Sequence, residues 1–349
     1  QDFLPRLDTL TFQEQLGSML DKTRRLEQLT PEIAEMLGLG DAAVETATRA
    51  AHLCKADLAT QMVVEFTSLQ GVMGREYALK SGHPPEVARA IFEHYLPRSA
   101  RDVHPQTEPG LAVGLADRLD SLAGLFAVGL APTGSADPYG LRRDALGVVQ
   151  NLIAAELPFS ISEGLAAAAR LLPVEVSAEA LEEAQAFAVG RLRVLLRDRG
   201  FSYDIVEAVL NARGDDPYRA QVAVEQLSGW VEREDWPVIL DNYARCVRIT
   251  RGFEEIFELD PDRFVQPAEA ALYDAYLEAN ALVTPQSTVE EFLTAFLPMV
   301  DVIDHFFAKE SGVLVMAEDE ALRENRLALL QHVAGLANGI VDLSQLEGF

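Results

Sequence analysis

The sequence predicts an all-α protein built in two parts, and three observations carry that expectation. Apolar residues recur at helical spacing almost throughout: Leu58, Met62, Phe66, Leu69 and Met73 step by four, four, three and four, the repeat of one face of an α-helix. Helix-start and helix-stop residues punctuate the chain. Runs that alternate apolar and polar residues are scarce, and Gly312-Val313-Leu314-Val315-Met316 is the only segment that could pass for a strand.

The elements follow in order. Thr30-Pro31 sets a capping residue before a proline suited to a first helical turn. Cys54 lies in a helical apolar pattern and reads as a small core residue, and His52 in the same pattern reads as packed or capped. Pro97–Pro109, with its prolines and polar residues, predicts a loop, as does Ala131–Pro138. Asp137-Pro138 predicts a helix start, and Ala166–Ala169 is a run of the best helix former. The stretch Leu171–Glu175 contains a proline and precedes a capped helix beginning near Ser177, so a boundary is placed there, with domains at 1–172 and 177–349. Gly200 follows Arg191–Arg199 in the position of a C-terminal stop. Ser287 with Glu290 predicts a capping box ahead of Phe292-Leu293.

Composition narrows the function. Apolar residues make up 49% and charged residues 24%, as in ordinary globular proteins. No run of about 18 apolar residues occurs, so no membrane contact is expected. The opening Gln1–Arg6 lacks the pattern of a signal peptide, and a chain that starts without Met reads as a fragment or a processed product. Cys54 and Cys246 have neither zinc-site spacing nor companions for a disulfide framework, which fits a reducing cytoplasm. The net charge of −26 argues against coating DNA or RNA non-specifically, because that affinity comes from neutralising phosphates. A local basic patch on the acidic body stays open. Of 29 basic residues only positions 22, 55, 80 and 309 are Lys; the remaining 25 are Arg, the side chain suited to bidentate phosphate contact and stacking.

Ala56-Asp57-Leu58 and Leu115-Ala116-Asp117-Arg118-Leu119-Asp120 resemble the aspartate-bearing segments of HD-type metal-dependent phosphohydrolases. Such a site needs a His-Asp pair, a second Asp and further histidines around a metal that activates water. Here Ala56 stands where the paired histidine belongs, and Lys22 stands where the first ligand is expected. A cation there repels a metal. Asp57, His94 and Asp117 are therefore expected as remnants of a degenerate site, with no metal and no catalytic residue. The remaining histidines lack partners at ligand spacing, no GxxxxGK[ST] loop appears, and Ser68, Ser135 and Ser160 lack a nucleophile-elbow context.

Longer blocks carry a closer resemblance. Phe12–Ser18, Asp21–Arg25, Cys54–Leu58 running through Val64–Gly74, Leu115–Gly124 and Asp137–Arg143 resemble the beta subunit of the bacterial two-subunit glycyl-tRNA synthetase. So do Gly190–Arg193, Met316–Asp319 and Leu322–Leu330. The resemblance spans essentially the whole chain, and the Glu65–Gly74 and Asp137–Arg143 blocks are its specific parts. It implies an HD-like domain followed by a helical-bundle anticodon-binding domain of the kind shared with arginyl-tRNA synthetase. It implies glycine tRNA and the alpha subunit as partners. ATP and Mg serve glycine activation on that alpha subunit, so this chain has no cofactor of its own and positions tRNA rather than forming adenylate.

Anticodon loops are read by stacking on aromatic or guanidinium planes and by hydrogen bonds to base edges. Candidate contacts are Arg245, Arg248 and Arg251 at i, i+3, i+6; Arg193 and Arg197 at i, i+4, with Arg191 on the same helix; Arg323 and Arg326 at i, i+3; and Arg142-Arg143. Each also has an ordinary reading as a surface ion pair, as with Arg323 beside Glu318, Asp319, Glu320 and Glu324. Two rival functions stay open: a working HD phosphohydrolase acting on nucleotides or RNA ends, and a module that bridges subunits without touching RNA.

Overall fold

A computed structural model describes residues 2–99 and 102–349. Ala100 and Arg101, inside the expected loop Pro97–Pro109, lie outside the described residues. The chain divides into two compact units, residues 1–194 with 215–218, and residues 195–214 with 219–349. The division thus falls within a helix, later than the Leu171–Glu175 stretch. Both units are helical, as the apolar spacing predicts.

The first unit contains α1 (Met19–Met36), α2 (Asp41–Leu53), α3 (Gln61–Glu65), α4 (Val72–Lys80), α5 (Pro85–Glu93), α6 (Glu108–Ala127), α7 (Leu141–Ala155), α8 (Ile161–Ala169) and most of α9 (Ala178–Asp198). Its centre is α6, which α1, α2, α5, α7 and α8 surround. Sixteen residues of α6 are buried, from Gly110 to Phe126, so this helix is buried on almost every side and belongs in a core rather than on a surface. The charged residues Arg118 and Asp120 are buried with it.

Several expected elements take a different form. Helix α1 starts at a capping box of Ser18 and Asp21, so Pro31 lies inside the helix and Thr30 is buried, not a cap. The expected single face through Leu58 and Met73 is broken into short turns, leaving Met62 and Phe66 exposed. Two local features break it. Thr60 caps α3, and Gly71 at φ +75° turns the chain in a conformation that disfavours a side chain. A Cβ on Gly71 would also stand 2.5 Å from the Tyr95 ring. Gly312–Met316 is a loop, and the two-stranded sheet among the described residues is instead Thr11–Gln13 with Gly17–Ser18.

The second unit contains α10 (Tyr203–Arg213), α11 (Pro217–Val231), α12 (Trp236–Thr250), α13 (Pro267–Leu282), α14 (Val289–Phe296), α15 (Met299–Phe307) and α16 (Glu320–Gly335), with the start of α11 assigned to the first unit. Helices α12, α13, α15 and α16 pack on one another. The Tyr243 ring meets Phe292 and Phe296 edge-on in this core. The capping box of α14 is Thr288 with Glu291, one residue later than Ser287 with Glu290. Gly200 follows the end of α9 with φ +99°, as expected of a helix stop.

Gly147 lets α7 approach α6: a Cβ there would run into the guanidinium of Arg118. Arg118 has little freedom to yield, because its Nη atoms donate to the carbonyls of His94, Gly114 and Leu96. Gly147→Ala is therefore expected to destabilise the protein by about 1–3 kcal/mol through overpacking, a loss that urea unfolding measures. An unchanged midpoint would show that α6 and α7 are less tightly apposed.

Candidate functional site

The buried charges of α6 draw cations from two other segments of the first unit and a neutral imidazole from a third. Lys22 and Arg25 come from α1, one turn apart on the face that packs against α6. Lys55 comes from the turn after α2, immediately before the short 3-10 turn Ala56–Ala59. His94 ends α5. Lys22, Arg25, Lys55, His94 and Asp120 are all buried.

Lys55 stands between the two most ligand-like groups. Its Nζ donates to Asp117 Oδ2 at 2.6 Å and lies 3.0 Å from His94 Nε2. His94 Nδ1 lies 2.6 Å from the carbonyl of Ile91. A carbonyl only accepts, so Nδ1 carries the proton and Nε2 offers a lone pair to the ammonium. The Tyr95 ring lies 4.4 Å from the same nitrogen, a cation–π contact. Lys22 Nζ lies 3.2 Å from Asp117 Oδ1 and donates to Asp120 Oδ2 at 2.8 Å and Ser121 Oγ at 2.9 Å. Arg25 forks onto Asp120, with Nε to Oδ1 at 2.6 Å and Nη2 to Oδ2 at 3.1 Å.

Ionisation follows this pairing. Burial alone would push the Asp117 carboxyl up, but Lys55 and Lys22 outweigh it and hold Asp117 far below the usual carboxylate range. Burial would lower Lys55, yet Asp117 more than offsets it and the ammonium is raised above its ordinary value. Burial, helped by the charge of Lys55, holds His94 well below its ordinary value, so the imidazole is neutral at pH 7. Asp117, Lys55 and Lys22 are thus a charged network and His94 is its neutral acceptor.

The expected remnants separate. His94 and Asp117 are brought together, with Lys55 bonded to both. Asp57 has different work: its Oδ2 accepts from the backbone N–H groups of Gly71 at 2.7 Å and Gly74 at 2.9 Å, capping the start of α4 from a distance. Burial raises the Asp57 carboxyl despite those two donors. A divalent ion between His94 and Asp117 would have to displace a buried ammonium hydrogen-bonded to both, or bear its repulsion. The arrangement holds a cation of its own and leaves no water-activating centre there. Lys55, Arg25, Asp120 and Tyr95 are not among the site residues the sequence proposes, although Asp120 ends the quoted Leu115–Asp120 segment. A lysine beside Ala56-Asp57, in a chain with so few lysines, was the available signal.

The arginines divide between the units. In the first, Arg142 Nη2 donates to the carbonyl of Gly134 and α7 begins with Leu141 and Arg142 N–H groups on Asp137. Arg143 is exposed. Arg142, Arg143 and Arg191 line one groove together with Arg98, and Arg193 is half-buried on the same helix as Arg191. Gly190–Arg193, expected in the second domain, thus belongs to the first compact unit.

In the second unit, Arg197 donates to the carbonyl of Phe201. Arg245 pairs with Asp241 and Asp304, and Arg248 lies 3.6 Å from Asp241. Arg251 has no carboxylate partner among the described residues and lies over the Phe349 ring at 5.6 Å. Arg323 donates to the carbonyl of Ala317. Arg326 corrects the expectation: it is buried, bonded to Glu269 at 2.7 Å and to the carbonyl of Leu314, and serves the core. Arg251 borders an open cleft of about 610 Å³ that Tyr276, His332, Asn280, Asn338 and Asp342 also line. The Tyr276 and His332 rings meet edge-on there.

A family model described as glycyl-tRNA synthetase beta subunit matches residues 1–211. The chain is 40% identical over 355 residues to a glycine–tRNA ligase beta subunit of Moorella thermoacetica, covering 98% of this chain and 50% of that protein. It is 40% identical to the corresponding subunit of Myxococcus xanthus, covering 99% and 50%. It is 37% identical to a chloroplastic/mitochondrial glycine–tRNA ligase of Arabidopsis thaliana, covering 100% of this chain and 32% of that one. The chain belongs to the glycyl-tRNA synthetase beta-subunit family. It spans about half the length of the bacterial relatives it matches.

Replacing Lys55 by Met leaves the mostly enclosed Asp117 with one fewer cation and is expected to cost about 3–5 kcal/mol in urea unfolding at pH 7. A loss under 1 kcal/mol would show that Lys22 alone neutralises Asp117. The network also sets a pH window. Asp117, depressed in the fold, stabilises above its unfolded value of about 3.9 and loses this contribution as pH falls below it. Lys55, raised in the fold, stabilises below about 10.4 and loses its contribution as pH rises past that. The wild-type chain should therefore lose stability steeply below pH 4, and Lys55→Met should flatten that limb; equal limbs would contradict the coupling.

Proposed function

We propose that this chain is a tRNA-binding part of a glycine–tRNA ligase beta subunit, positioning glycine tRNA and reading its anticodon arm. Glycine activation with ATP and Mg belongs, on this reading, to a separate alpha subunit. This chain alone supplies no adenylate chemistry. Family membership supports the ligase context, and the buried free thiols of Cys54 and Cys246 agree with a cytoplasmic setting.

The observation that carries the RNA reading is the cleft beside Arg251. Single-stranded bases need flat faces to stack on and donors and acceptors for their edges. Tyr276 and His332 offer the faces, and the Arg251 guanidinium carries a charge with no carboxylate partner among the described residues. Asn280 and Asn338 offer both donors and acceptors, and Asp342 offers acceptors alone. The volume of about 610 Å³ falls in the ordinary range for a bound organic group. Elsewhere the acidic surface repels phosphate, which confines RNA to such places.

Tyr276→Ala is expected to weaken binding of glycine tRNA to the full chain by roughly 5- to 150-fold, the ~1–3 kcal/mol of one stacked base. It should leave binding of a minihelix without the anticodon arm unchanged. Fluorescence titration with both RNAs distinguishes the outcomes. Equal loss on both, or loss on neither, would contradict anticodon reading by this cleft.

A further inference from the structure

The groove in the first unit differs in chemistry from the aromatic cleft. It is lined by Arg98, Arg142, Arg143 and Arg191 with Gln150, and among the described residues no carboxylate lines it. Four guanidiniums without an acid among the lining residues is unusual on a chain of net charge −26. The nearby carboxylates are mostly spent on backbone, with Asp137 Oδ2 also 4.0 Å from Arg142 Nη1. Asp137 accepts from the N–H groups of Leu141 and Arg142, and Asp102 accepts from those of Arg98 and Val103.

Aromatic rings rather than acids hold two of the four cations. The Arg98 guanidinium lies 4.9 Å from the Phe92 ring centre, and Arg191 lies 5.3 Å from that of Phe187. A ring face fixes a guanidinium while leaving its N–H edge unspent. Those edges are in fact unspent: Arg98 Nε and Nη2 and Arg191 Nε are shielded from solvent and have no hydrogen-bond partner. Buried charged donors without acceptors are costly. An acceptor-rich anion entering the groove would satisfy them, and guanidinium forks match phosphate oxygens two at a time. The volume of about 280 Å³ lies just below the range of pockets that enclose a whole drug-sized molecule. It suits a phosphodiester group with its base left outside.

We propose that this groove is a phosphate clamp for the RNA backbone, formed by Arg98, Arg143 and Arg191. Arg142 shapes its wall, because its Nη2 is engaged with the Gly134 carbonyl. The clamp contacts phosphates and not base edges, so it fixes register without reading sequence. It rests on the RNA-binding reading above and adds a second contact, in the other unit, to the aromatic cleft.

The test is the salt dependence of tRNA binding by the full chain, measured with glycine tRNA, a non-cognate tRNA and pyrophosphate as competitor. The variants are Arg98→Ala/Arg143→Ala/Arg191→Ala, and Arg143→Gln/Arg191→Gln, which spares the packing of Arg98 on Phe92. Each phosphate contact removed should lower the slope of log K against log salt by about one. The triple variant should therefore lose about two to three units of slope and the double variant about two, equally on both tRNAs. Tyr276→Ala should leave the slope unchanged while weakening binding. Wild-type slopes in both arginine variants, with Tyr276→Ala still weakened, would overturn the clamp and leave the RNA reading standing. A wild-type chain that binds no tRNA would overturn both. Pyrophosphate bound with stoichiometry by the wild type and lost in the double variant, with the tRNA slope unaltered, would mark a site for free phosphate and overturn the clamp.

Discussion

The first unit depends on burying charge at the centre of α6. A helix enclosed by five others must bring Asp117, Arg118 and Asp120 into its surroundings, and ions left unpaired there would cost several kcal/mol each. The packing of the unit answers that requirement. Helix α1 supplies Lys22 and Arg25 to Asp120, and the turn after α2 supplies Lys55 to Asp117. The end of α5 supplies carbonyls to Arg118. Gly114 and Gly147 then clear the space that the Arg118 side chain and its carbonyl partners need. Position and partner are specified together, which makes the network a device for unique packing as well as neutralisation.

The same network fills the point at which the carboxylates and imidazole of this chain would otherwise converge. A divalent ion needs lone pairs that converge on one point. Here the point facing His94 Nε2 and Asp117 Oδ2 holds the Lys55 ammonium, which satisfies both. Two of the few lysines in the chain, Lys22 from α1 and Lys55 from the turn after α2, reach the carboxylates of this one helix, while arginine serves nearly everywhere else. A compact ammonium fits a site that a planar guanidinium would overfill.

How much of this was legible in the sequence depended on range. Local signals read well: the Gly200 stop and the buried place of Cys54 needed only neighbours a few residues away, whereas the start expected at Asp137-Pro138 falls later, with Asp137 accepting from the first N–H groups of a helix that begins at Leu141. Signals that required a partner misled. Thr30-Pro31 has the form of a helix start, but the capping box at Ser18 begins the helix earlier and tertiary packing carries it through the proline. The helical spacing from Leu58 to Met73 was real as a pattern, yet Gly71 and the reach of Asp57 to the Gly71 and Gly74 amides break it into turns. Arg323 and Arg326 share one spacing and opposite fates, because only contact with Glu269 reveals that Arg326 belongs to the core. Lys22 was visible as a substitution at a ligand position, whereas the role of Lys55 needed the fold that carries it to Asp117.

The central claim is that the Lys55 ammonium occupies the point between His94 and Asp117 at which a metal would have to bind. Titration calorimetry of the full chain with Mn²⁺, alongside Asp117→Asn, tests it most directly. The account predicts no stoichiometric binding that depends on Asp117. One tightly held ion per chain in the wild type, lost in Asp117→Asn, would contradict it.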